Sequence, residues 1–238
     1  MKKILIVLTF VTLCCGCCRS REGVETEDQR DKTAHTQLQN GDLIFVGLPF
    51  DFSLDNDSTH ITKAIASATG DSTNYIHVAI VEVLDDSLWI IDATLKHGVD
   101  RYPIDTFLCD FTLNNGQLPL MQVMRLKDTT GIGGFIQNAR KHCGSGYNIT
   151  FLPNRKEQYC SELVRNSYVT LQGDTLFQQS PMNFLSPDGT MPIYWTQLFA
   201  QMNMEVPQGV MGTNPNAMSK EKILISVGEL HDFYTRKK

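Results

Sequence analysis

Gln158-Tyr159-Cys160-Ser161-Glu162-Leu163-Val164 is the stretch on which the fold turns. Tyr159, Cys160, Leu163, Val164, Tyr168 and Leu171 recur at spacings of three and four residues, the pattern of one face of an amphipathic helix. A cysteine therefore opens a helix. The N-terminal end of a helix stabilises negative charge, which favours thiolate over thiol, and the thiolate is the nucleophile. Taken alone, a cysteine on an apolar helical face is more often a small core residue. Its neighbours elsewhere in the chain decide between the two readings.

Upstream, Ile76 to Leu84 is rich in β-branched residues and predicts a strand, Asp85-Asp86-Ser87 a turn, and Leu88 to Ala93 a second strand, together a hairpin. His77 lies in the first strand and Asp92 in the second. A carboxylate in an apolar strand is costly to bury without a partner. An even number of loop residues puts Asp92 on the face of His77, opposite or diagonal to it; an odd loop without a bulge turns it away. The competing readings are a satisfied core or edge histidine and a strand-end aspartate bonded to loop amides. Cysteine hydrolases need a thiolate, a histidine that pairs with it and a third group that orients the imidazole. Cys160, His77 and Asp92 are the candidates.

Around these segments the chain reads as α+β. Asn40-Gly41 is a turn signal and Asp42 to Gly47 a strand, with Asp42 the turn residue before it. Ile61, Ala64, Ile65 and Ala68 share a helical face, with Asp57 or Ser58 as cap and Gly70 as stop. Leu118 to Leu126 predicts a strand. Ile132, Phe135, Ile136, Ala139 and Cys143 mark a helix closed by Gly144, with Cys143 a core residue. Trp195, Leu198, Phe199 and Met202 suggest one more helix, and Ile223 to Val227 a last strand. Hairpins with helices grouped elsewhere argue for an antiparallel sheet packed against helices, not a doubly wound one. Glu162 is expected to pair within its helix or with Arg165, a surface feature worth little.

The 238 residues suffice for one domain with a substantial core, and the formal charge of −5 offers no basic footprint for nucleic acid. Lys2 and Lys3 precede an apolar run, Ile4 to Leu13, too short to span a bilayer and of the length of a signal peptide. Cys14-Cys15-Gly16-Cys17-Cys18 follows and resembles a bacterial lipobox. Gly16 makes Cys17 the best candidate for the lipidated residue, ahead of Cys15 and Cys18; a metal or disulfide knot is the competing reading. The expected organisation is a signal peptide over 1–16, the lipidated cysteine and a polar tether over 17–39, and a hydrolase domain over 40–238. Only Cys109, Cys143 and Cys160 remain in the body, which is not a disulfide scaffold, although Cys109 and Cys143 could pair. The histidines show no metal-ligand spacing, so no metal and no cofactor are expected.

The order His77, Asp92, Cys160 excludes some families. Chymotrypsin-like cysteine proteases share it but carry the cysteine in a glycine-rich loop between strands. Ordinary papain-like enzymes place the cysteine helix before the histidine strand. Gly41-Asp42-Leu43-Ile44-Phe45, then His77-Val78-Ala79-Ile80, then Ile91-Asp92-Ala93, then Tyr159-Cys160-Ser161-Glu162-Leu163-Val164 resembles the YiiX/YebB-like family. These are permuted papain-like cysteine hydrolases related to NlpC-type cell-wall peptidases and to lecithin:retinol acyltransferase. The resemblance implies a circularly permuted papain-like fold, Cys160 as nucleophile and His77 as general base. Asp92 falls where the family usually carries glutamate, one methylene longer. The backbone amide of Cys160 is the natural oxyanion donor, and Tyr147 and Tyr159 are candidates for the cleft wall or for the core. The expected activity is cleavage of an amide bond through a thioester, by an exported protein anchored in the cell envelope through its N-terminal lipid. Its partners would be a peptide, a peptidoglycan fragment or an acyl substrate. The alternatives are a thiol hydrolase or acyltransferase acting on acyl esters, favoured by an apolar groove at Cys160, and a binding module without activity.

Overall fold

A strand whose every residue is buried must be covered on both faces, and Leu43–Gly47 (β1) is such a strand. The structure, a computed structural model, describes residues 37–47, 74–153 and 156–234. The signal segment, Cys17 and the helix expected before Gly70 lie outside them. β1 pairs with Tyr75–Leu84 (β2) on one side and with Leu120–Leu126 (β5) on the other. β2 continues to Ser87–Thr94 (β3) and Gly98–Pro103 (β4), and β5 to Leu224–Glu229 (β10). The sheet order is β10-β5-β1-β2-β3-β4, every pair antiparallel. The chain is α+β, as its pattern predicts.

Strand alternation sorts the apolar residues onto two faces. Leu43, Phe45, Val78, Ile80 and Ile91 face one core, shared with Ile132–His142 (α2) and Cys160–Ser167 (α3) through Phe135, Ile136, Leu163 and Val164. Ile44, Val46, Ala79, Val81 and Ile90 face the other, closed by Ile104–Asp110 (α1) through Ile104, Phe107 and Leu108. Ile193–Gln201 (α4) builds a third, aromatic cluster of Phe151, Tyr159, Phe184, Trp195 and Phe199. Short strand pairs, Gly146–Tyr147 (β6) with Glu157–Gln158 (β7) and Ser180–Pro181 (β8) with Met211–Gly212 (β9), lie outside the main sheet.

Several boundaries differ from the sequence pattern for identifiable reasons. Packing begins at Gln37, before residue 40: Leu38 is buried, the Gln37 carbonyl accepts from Arg125, and the Gln39 N–H donates to Asp42 at 2.7 Å. Asp42 is a turn residue, but it also forms a buried, two-pronged ion pair with Arg125, Oδ1 to Nε at 2.6 Å and Oδ2 to Nη2 at 2.8 Å. β5 starts at Leu120 and not Leu118 because Pro119 has no N–H for the ladder. α3 ends at Ser167. Tyr168 caps it and is fully buried, while Leu171 is fully exposed at the tip of a turn closed by the Thr170 and Gly173 backbone. Leu171 is therefore not part of the helical face. β4 and α1 have no counterpart in the predicted elements. Cys143 is half-buried against the first core, and Cys109, Cys143 and Cys160 form no disulfide with one another.

Gly41 is required by its backbone. Its φ is +79°, and a Cβ there would sit 2.5 Å from the Ile132 side chain, while its carbonyl accepts the Tyr168 hydroxyl at 2.9 Å. The turn before β1 is thus locked against both α2 and α3.

Candidate active site

The β2–β3 hairpin closes through two residues, Asp85 and Asp86, with φ of 49° and 57°. Both central residues left-handed is the turn type whose twist suits a tight hairpin, and aspartate tolerates that conformation. The loop is even, so the register Ile80–Ile91, continued one step, sets Asp92 opposite Ala79 and diagonal to His77 on the same face. A β-bulge between β1 and β2, where Val46 pairs with His77 and Gly47 with Tyr75, resets the alternation just before His77.

The geometry at this corner is tight. His77 Nε2 lies 2.8 Å from Asp92 Oδ2, with Asp92 fully buried and His77 7% exposed. The Tyr102 hydroxyl donates to Asp92 Oδ1 at 2.6 Å, so both carboxylate oxygens are satisfied. Phe107 and Phe111 pack on the imidazole, with ring centroids 6.3 and 4.9 Å away. Cys160, the first residue of α3, lies close enough to the imidazole to raise its pKa. Since Asp92 holds Nε2, Nδ1 is the nitrogen left for the thiol. Burial pulls the His77 pKa down, but the Cys160 thiolate and the bonded Asp92 carboxylate outweigh it and lift it to about 10. The three residues nominated from the sequence are brought together.

The turn that opens α3 is held from two directions. Glu162 Oε2 accepts the Tyr159 N–H at 3.4 Å and the Asn148 side chain at 3.1 Å. Glu162 thus pairs within its own helix, the first of the two expected arrangements, and is half-buried where a surface position is expected. Burial raises its pKa to about 7, against the pull of those two bonds and of the Arg165 charge. On the other side, Thr213 donates its N–H to the Tyr159 hydroxyl at 3.0 Å and its Oγ1 bonds Ser161 Oγ at 3.0 Å, gripping both neighbours of Cys160. Asn216, on Pro215–Ser219 (α5), accepts the Tyr75 N–H at 2.8 Å and fixes the start of the His77 strand. Tyr102, Thr213 and Asn216 escape the sequence reading. Each acts through a contact more than nine residues away, and none sits in a motif.

Tyr147 and Tyr159 both line a cleft that has Cys160 in its wall, together with Phe151, Met182, Phe184 and Trp195. Tyr159 belongs as much to the aromatic core, being 4% exposed. Among the described residues, those lining the cleft include no Lys, Arg, Asp, Glu or His. Among the described residues, no group of three or more His, Cys, Asp or Glu side chains could hold a metal ion.

Residues 37–228 match the model of a family described as permuted papain-like amidase enzymes, YaeF/YiiX, C92 family. A comparison with curated proteins returns no match. Among solved structures, the crystal structure of metalloprotein YiiX from Escherichia coli O157:H7 superposes with a TM-score of 0.62 at 21% identity, over 81% of this chain and 98% of that one. At that identity the likeness speaks for the fold.

Proposed function

Because the chain belongs to the permuted papain-like amidase family of YaeF and YiiX, a family of cysteine hydrolases, we propose that it cleaves an amide bond through a Cys160–His77–Asp92 triad and a Cys160 thioester. The observation that carries this reading is the His77 ring, bonded through Nε2 to the buried Asp92, with Cys160 near enough to raise its pKa.

His77 Nδ1 holds the proton it has taken from the Cys160 thiol, and Cys160 Sγ attacks the amide carbonyl carbon as the thiolate. The tetrahedral oxyanion is held by the Cys160 backbone N–H, which the first turn of a helix leaves without an intrahelical acceptor. Collapse breaks the C–N bond, and Nδ1 returns its proton to the departing nitrogen. Water then attacks the thioester with Nδ1 as base, the C–S bond breaks, and thiolate and imidazolium are restored. Asp92 keeps Nε2 protonated throughout, which fixes the tautomer. Tyr147 and Tyr159 serve as cleft walls.

The protein acts from the cell envelope, exported by its N-terminal segment and anchored through Cys17. Support for this comes from Lys2-Lys3, the apolar run Ile4 to Leu13, and the small residue before Cys17. A cell-wall peptide is the amide that such a location offers. The uncharged side chains that line the cleft among the described residues favour the second reading, an acyl substrate.

The test is hydrolysis of a panel of amides and acyl esters by the protein, by Cys160→Ala and by His77→Ala. Both variants are expected to lose activity by about 10³-fold or more while keeping a native circular dichroism spectrum. Activity retained in Cys160→Ala rules the reading out. Labelling of the protein in intact cells by a radioactive fatty acid, lost in Cys17→Ala, tests the anchor.

A further inference from the structure

The cleft beside Cys160 has a direction. Cys160 and Ser161 line it, with Tyr147, Phe151, Met182 and Trp195, but His77 does not. His77 instead faces Phe107 and Phe111. In the reaction proposed above, the leaving nitrogen must receive its proton from His77. The leaving group therefore sits on the histidine side of Sγ, and the cleft on the other side takes the part of the substrate that stays bonded to sulfur.

The wall sets the chemistry of that part. Among the described residues it offers aromatic faces, a thioether, Ile76 and Pro215, with Ser161, Asn183, Thr213 and Asn214 as polar members and no ionisable carboxyl, amine or guanidine. A charged group placed there would lose its hydration with no partner in return, whereas apolar surface would gain by leaving water. The Thr213 hydroxyl is already engaged with Ser161. The wall is also closely fitted: a Cβ on Gly212 would come within 2.7 Å of Met182 Cγ and 2.9 Å of the Tyr159 hydroxyl, so glycine lets Met182 close over the cleft.

We propose that this cleft is the acyl-side specificity site and that the group it takes is an uncharged, apolar acyl chain. The proposal rests on the triad reading for its direction and on the cleft lining for its chemistry, and an experiment can separate them.

The full-length protein is given a series of acyl p-nitroanilides with one leaving group. Acetyl to octanoyl compounds are compared with chains of equal length ending in a carboxylate. kcat/KM is expected to rise about fourfold per methylene until the cleft is filled, and the terminal carboxylate to lower it at least tenfold. Met182→Lys is expected to reverse the order for the carboxylated chains. The same ranking is read without chemistry in Cys160→Ala, by Trp195 fluorescence in a Trp89→Phe background, with hexanamide and the matching ω-carboxylate as probes. Turnover with no dependence on chain length, or a native preference for the carboxylates, overturns the proposal and leaves the triad standing. No acylation of Cys160, with hexanamide still binding in preference to its carboxylate analogue, overturns the triad reading and leaves the cleft assignment standing. Absence of that preference in binding overturns the assignment.

Discussion

The Tyr102 hydroxyl donates to Asp92 at 2.6 Å, on the carboxylate oxygen that His77 does not use. In the proposed triad, this contact lets the short aspartate side chain hold its place beside the imidazole. Asp92 is fully buried and pinned at both oxygens, so its short reach is offset by loss of freedom. Burial and the neighbouring Asp92 charge push the Tyr102 pKa upward, which keeps the hydroxyl a donor at any working pH.

Tyr102→Phe should therefore lower kcat by roughly tenfold and leave KM unchanged, because Tyr102 does not line the cleft. Leaving Asp92 Oδ1 buried without its donor should also cost about 1–3 kcal/mol of stability. A change in KM equal to that in kcat, measured on one substrate, would place Tyr102 in substrate binding.

His77 supplies a spectroscopic prediction. The thiolate of Cys160 is the largest of the influences that raise its pKa, and burial opposes them. Cys160→Ala removes the negative charge and leaves the burial, so the His77 pKa should fall from about 10 towards the ordinary histidine range. Imidazole ¹⁵N shifts followed from pH 5 to 11 report this directly. An unchanged titration in Cys160→Ala would falsify the thiolate–imidazolium pair. Linkage follows with a definite sign. A histidine whose folded pKa exceeds its ordinary 6.5 adds stability in full below 6.5 and loses it as pH rises to about 10. Native protein should thus lose stability over that interval relative to His77→Ala.

How much of this was legible in the chain follows from what each residue does. The β2–β3 hairpin is local: β-branched strands and a two-residue Asp-Asp turn set its register, and that register carries Asp92 to the face of His77. Cys160 is equally local, at the start of a helix with a clear apolar face. β4 is not. Its Asp100 and Arg101 obscure the strand pattern, and Arg101 finds its partners in Glu82 and the Trp89 ring, which only the folded sheet brings near. Tyr102 went unseen with it. Leu171 shows the opposite failure, a residue in phase with the helix that the chain leaves behind at Tyr168. Thr213 and Asn216 lie in a segment with little periodic pattern, yet they tie down the cysteine helix and the histidine strand.

Asp42 separates structure from chemistry. Its pair with Arg125 is buried on both sides and joins the turn before β1 to β5, remote in role from Cys160. Asp42→Ala takes the carboxylate from a buried guanidinium and should cost about 3–5 kcal/mol. The folded fraction should keep its kcat. Urea denaturation with active-site titration of Cys160 measures both, and a lower kcat per titrated thiol would give Asp42 a part in the reaction.

Glu162 is the last group whose behaviour differs from its appearance in the sequence. Burial lifts its pKa to about 7 from an ordinary 4.5, although Asn148 and the Tyr159 N–H both favour the carboxylate. A carboxylate raised in the folded state adds stability below its unfolded pKa, and that stability is lost as pH climbs from about 4.5 to about 7. Above neutrality the ionised side chain is thus a burden at the opening of the cysteine helix. Glutamine keeps an acceptor for both donors and carries no charge. Glu162→Gln should match or fall below the native protein at pH 4 and exceed it at pH 8 by on the order of 1 kcal/mol, or about 2–4 °C in Tm for a domain of this size. Thermal melts at the two pH values decide it. A difference that does not grow between pH 4 and pH 8 would mean that water reaches the carboxylate, and that Asn148 and Tyr159 hold it as a surface cap.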